Sequence, residues 1–289
     1  MAASPAPKRK TPAKQLKRPT LPDRQAMETY AASHTQAEID AALHDAQNLI
    51  YDAWEQTTVR GSASLARKAL AICPLCADAF NILADQATDP EKRLELCNLA
   101  MAAGELGLGP ERFEEMAGEF WGWLETRPYM RARNLLALTL LELGRDAEAA
   151  QHIRAMLTLN PNDNQGNRYL LHDILLNADD TKGLKKLIRE YKGEWSPRWL
   201  YTQALLAYRD GKSETAATRK LVSEAIECNK YVIDLLSGAR KPGRQFDMVA
   251  VGSPEEADEY VEHCGAAWAK VPGAIEWLTH RERKPSKPA

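Results

Sequence analysis

The stretch MRARNLLALTLLELGRDAEAAQHIRAMLTLNPND, residues 130–163, decides the reading of this chain. Leu136 and Leu140 on one side of Gly144-Arg145, and Ile153 and Leu157 on the other, recur at helical steps. The segment therefore reads as two helices joined by a tight turn, with Pro161 closing the second. Ala137 lies in the first helix and Ala149 stands early in the second, where a small side chain lets two helices approach closely. Gly183 follows Ala149 by 34 positions, and Ala217 follows Gly183 by another 34. A small residue returning at a fixed period marks a repeated helix–turn–helix unit.

These are the features of a tetratricopeptide repeat, and three units are expected, at about 130–163, 164–197 and 198–231. The second has Leu170, Leu171, Ile174 and Leu184 in place but no turn glycine. The third is ambiguous by one residue, because Gly211 argues for Ala216 rather than Ala217 as the small position. Upstream, Ile39, Leu43, Ala46, Ile50 and Trp54 form an apolar stripe at three- and four-residue steps. Further helices are expected from about Ser62 to Ile72, Ala77 to Ala87, Pro90 to Leu106 (with Asp89 as N-cap) and Pro110 to Leu124. Pairs at about 36–73 and 75–106 have repeat-like length without a clean signature, as terminal repeats often do. The expected fold is all-α: a tetratricopeptide-like helical-repeat solenoid of antiparallel helix pairs over 26–280.

Alanine and leucine supply much of the 44% hydrophobic content, while valine and isoleucine are sparse, which favours helix over strand. Residues 1–25 carry seven basic side chains against Asp23 alone, a balance of +6, which leaves −8 on the other 264 residues of a chain of net charge −2. That segment has almost nothing to bury and is expected to be a disordered basic tail. Residues 281–289 repeat the composition and are expected to fray. The five cysteines are scattered, and no apolar stretch follows the N-terminal charges. A secretory leader and a membrane span are not expected, and a reducing, cytoplasmic location is.

The chain resembles bacterial tetratricopeptide proteins related to the suppressor of tumorigenicity seven family. The resemblance is carried by residues 121–133 (WGWLETRPYMRAR), residues 159–166 (LNPNDNQG), and a C-terminal stretch from Gly252 to Leu278 that contains GSPEEA, Ala267-Trp268 and Pro272-Gly273-Ala274. It covers about 60–280 and implies one continuous helical unit without an established enzymatic role. Asn229-Lys230 stands where the family has asparagine–proline, and the basic arm lies outside the resemblance.

Chemistry-bearing motifs are sparse. Cys73-Pro74-Leu75-Cys76 has metal or redox spacing, but no second pair or histidine lies near it in sequence, and it joins two helices rather than following a strand. Inter-helix packing is the expectation. His263 and Cys264 are helix neighbours that point about 100° apart, so they do not pair as base and nucleophile. The histidines form no metal-ligand spacing. Phe113, Phe120, Trp121 and Trp123 read as core rather than a ligand cage. No phosphate loop or nucleophile elbow occurs. The expectation is a protein that is not an enzyme, with no cofactor and no metal.

A groove is the better candidate. The first helices of stacked pairs line a concave surface, and their register brings Arg131, Asn134, Gln165, Arg168 and His172 together. Arg198 and Tyr201 join them, or Trp199 and Thr202 in the other register, with Arg209 in either case. Cationic and amide donors on one face suit a carboxylate or an acidic peptide. The expected function is a protein-interaction scaffold with an acidic peptide or protein partner. The alternative is contact with nucleic acid or another polyanion through Lys8, Arg9, Lys10, Lys14, Lys17 and Arg18. That contact would be non-specific, because no aromatics are interleaved for base stacking.

Overall fold

Asp23 turns its carboxylate onto the N–H of Ala26 and starts a helix where the tail was expected to continue. A computed structural model describes residues 20–243 and 249–282. The six cations named for polyanion contact and the tail residues 1–19 and 283–289 lie outside the described residues. Arg24, Arg281 and Glu282 fall within helices, so both expected tails are shortened. All regular structure among the described residues is α-helical.

The chain divides into two compact units, 1–113 and 114–289. In the first, α1 (Arg24–Ser33) packs on α5 (Pro90–Leu108), and α2 (Gln36–Trp54), α3 (Val59–Ile72), α4 (Ala77–Asp85) and α5 pack as successive neighbours. Each start has a local cause. Thr35 and Glu38 close a reciprocal capping box on α2, and Asp89 caps α5 ahead of Pro90, as the sequence suggests. The Asp40 carboxylate is held from both sides by Arg112, at 2.8 and 2.9 Å.

The helix expected over 110–124 stops early: α6 is only Pro110–Glu115. Gly118 lies in the left-handed region at φ 102°, and the N–H groups of Gly118 and Phe120 donate to the carbonyl of Leu159, which ends the helix. Phe120 is buried edge-on against Tyr129, but Trp123 is 48% exposed, so the expected aromatic core is only partly formed.

The second unit holds α7 (Arg127–Glu142), α8 (Asp146–Leu159), α9 (Asn167–Asn177), α10 (Thr181–Glu190), α11 (Pro197–Arg209), α12 (Ala216–Cys228), α13 (Tyr231–Leu236), α14 (Pro254–Ala269) and α15 (Ala274–Glu282). The pairs α7/α8, α9/α10 and α11/α12 fall on the three units read from the sequence. Ala149 is fully buried at its crossing, and a methyl on Gly183 would stand 2.4 Å from Asp180 and 3.1 Å from Leu175. The third small position is neither alanine weighed for it. Ala216 and Ala217 are exposed, and Thr218 is the buried residue. Three residues join α7 to α8 and α9 to α10, whereas 210–215 join α11 to α12, so the longer turn shifts the register.

Candidate functional site

Asp163 and Gly166 both take left-handed backbone, at φ 49° and 74°, and aim the chain into α9. The Asp163 carboxylate accepts from the N–H groups of Asn167 and Arg168 at 2.7 and 2.8 Å, and from the Arg168 guanidinium at 3.0 Å. Arg168 also donates to Glu194 at 3.0 Å and lies 4.4 Å over the ring of Tyr169. Tyr169 donates to the other Glu194 oxygen at 2.6 Å; burial, reinforced by Glu194, pushes its phenol up to about 12. Arg168 is thus neutralised by two carboxylates of its own chain.

One turn on, groups from three helices meet at Asp173. His172 Nδ1 stands 3.0 Å and Cys264 Sγ 3.6 Å from its Oδ1, and His263 Nδ1 stands 3.6 Å from its Oδ2. Arg198 Nε is 3.3 Å from Oδ1, while its terminal nitrogens bind Glu259 at 3.1 Å. Burial works to raise the Asp173 carboxyl, but the bond from His172 and the charge of Arg198 outweigh it and hold it below its usual range. His172 itself is fully buried, stacked on Trp199 at 5.2 Å and bonded through Nε2 to Thr202 at 3.1 Å.

The remaining expected groove residues divide. Arg131 and Asn134 are half-buried on α7, and Gln165 is half-buried in the turn ahead of α9. Arg209 pairs with Asp179 at 3.2 Å. Tyr201 is fully buried; its hydroxyl donates to the Asn229 carbonyl at 2.8 Å and its ring packs 5.6 Å from Tyr260. Its place, and that of His172, correct the expectation that both present polar atoms on an open surface.

The reason is α14, which packs on α9, α11 and α13. Ser253 caps this helix through the N–H of Glu256, as its sequence suggests. The Glu256 side chain does not return to the Ser253 backbone, so no reciprocal capping box forms. That side chain accepts from Gly252 and from Asn229. Glu259 of α14 reaches Arg198, Tyr260 meets Tyr201, and the carbonyl of His263 accepts from Asn177. An acidic helix of the chain itself covers part of the expected groove.

A scan of protein-family models finds no match to this chain, and a search of curated proteins finds none either.

Elsewhere, Cys73 and Cys76 are buried at the α3–α4 junction, and burial pushes the Cys76 thiol up to about 12. Both are poor nucleophiles there, in keeping with a packing role. Among the described residues, His172, Asp173 and Cys264 gather closely enough to share an ion. No sequence spacing signals that group, because Cys264 lies 91 positions from Asp173 on another helix.

Proposed function

We propose that this chain is a non-catalytic protein-interaction scaffold of tetratricopeptide type that takes an acidic peptide or protein along the first-helix face of α7, α9 and α11. The observation that supports this reading is α14. An acidic amphipathic helix, with Asp258, Glu259 and Tyr260 in sequence, lies on α9 and α11, where Glu259 meets Arg198. A face that takes one acidic helix has the chemistry to take another. The α7 side of that face carries Arg131, Asn134 and Gln165, all half-buried.

Arg168, Arg198 and Arg209 support the partner indirectly, since each is bound to an acid of the chain. The resemblance to the suppressor of tumorigenicity seven family agrees with a scaffold and names no reaction. The second reading, a nucleic-acid-associated accessory protein, draws on the +6 charge of residues 1–25.

Affinity capture with the full chain and with a variant lacking residues 1–25, each eluted by salt, separates the two. Retention of the same protein by both chains supports the scaffold. Retention of nucleic acid that disappears with the tail supports the accessory role and contradicts the scaffold.

A further inference from the structure

One donor atom each of His172, Asp173 and Cys264 lies within 4.8 Å of the other two, all on buried residues. The two separations to the shared oxygen are 3.0 Å from His172 and 3.6 Å from Cys264. Bonds of about 2.0–2.3 Å around a tetrahedral zinc ion put its ligand atoms roughly 3.3–3.8 Å apart. The two separations to Oδ1 fall close to that range, and the His172–Cys264 separation, within 4.8 Å, has to close by up to about 1 Å. His263 lies outside that close group; its Nδ1 is 3.6 Å from Asp173 Oδ2, on a half-exposed side chain that turns inward to serve as the fourth donor and leaves a way in from solvent.

We propose that His172, Asp173, Cys264 and His263 form a zinc-class divalent metal site that fastens α14 to α9. The donor set of two imidazoles, a thiolate and a carboxylate suits a borderline-soft ion and not calcium or magnesium, which take oxygen ligands. Charge balances: the Cys264 thiolate and the Asp173 carboxylate offset the ion, while Arg198 keeps Glu259 as its own counter-charge. Arg198 Nε is not aligned to donate to Asp173, so a metal at Oδ1 displaces no hydrogen bond from that side. Binding releases the Cys264 thiol proton and exchanges the His172 proton from Nδ1, where it faces Asp173, to Nε2 through solvent, where it donates to Thr202 Oγ1. The stack on Trp199 already holds the imidazole in that plane.

The test is cobalt(II) titration of the full-length protein, stripped with chelator beforehand. The site should take up a single equivalent with a thiolate-to-cobalt charge-transfer band and the strong visible bands of a tetrahedral ion, all abolished by added zinc. Cys264→Ser should remove the charge-transfer band, His263→Ala should weaken binding by at least about tenfold, and Cys73→Ser/Cys76→Ser should leave both unchanged. Circular dichroism checks that each variant is folded. If Cys264→Ser misfolds, the half-exposed His263 decides. Absence of the bands in the wild type, their survival in folded Cys264→Ser, their loss in Cys73→Ser/Cys76→Ser, or unaltered affinity in His263→Ala would each overturn the proposal.

Discussion

Ala149 and Ala217 stand near the start of a second helix in repeated units, and only Ala149 is buried. Enlarging them should separate a tight crossing from a surface position. Ala149→Leu overpacks the α7/α8 contact and is expected to cost about 1–3 kcal/mol, whereas Ala217→Leu should stay within about 0.5 kcal/mol of wild type. Urea unfolding measures both, and equal costs would mean that the third unit keeps the strict period after all. His152 gives a pH dependence. Burial, followed by the charge of Arg133, holds its imidazole below the ordinary value of 6.5. The unfolded chain therefore takes up this proton first, so the contribution is full above about pH 6.5, falls as pH drops through that value, and levels off below the folded value. His152→Gln should flatten the melting temperature between about pH 7.5 and 5; an unaltered slope would assign that dependence to other groups.

The helix α14 shows what pattern reading reaches and where it stops. Its start at Ser253 is legible, because a capping serine followed by proline and acids has a local cause. Its docking on α9 and α11 is not, since that depends on Glu259, Tyr260 and Cys264 meeting Arg198, Tyr201 and Asp173, far away in sequence. The same limit applies to the groove residues. Their positions on first helices follow from the period, but the acids that neutralise Arg168, Arg198 and Arg209 come from other elements. The 110–124 helix fails for a different reason, a long-range bond from Gly118 to Leu159 that no local propensity encodes. Within α14, the buried Trp268 Nε1 donates to Tyr260 at 2.7 Å. Tyr260→Phe removes the acceptor and is expected to destabilise the second unit by about 1–3 kcal/mol, read by denaturant unfolding. A cost near zero would mean that water or another group replaces the bond.

Taken as a whole chain, charge is split between a basic N-terminal segment of +6 and a remainder of −8, and the two functional readings divide along that line. Arg168 is a poor probe of the first reading, because its loss would leave the buried Asp163 carboxylate short of a partner and disturb the start of α9. Arg131 on α7 tests it instead. If an acidic partner lies along the first-helix face, Arg131→Ala should weaken its binding by about 1.5–3 kcal/mol, and lysine should restore it only in part, lacking the planar fork. Calorimetric titration of the captured partner into wild type, Arg131→Ala, Arg131→Lys and the chain lacking residues 1–25 measures this directly. The account expects affinity to fall in the order wild type, lysine, alanine, with the shortened chain equal to wild type. Equal affinities for all three full-length forms, together with lost binding in the shortened chain, would contradict it.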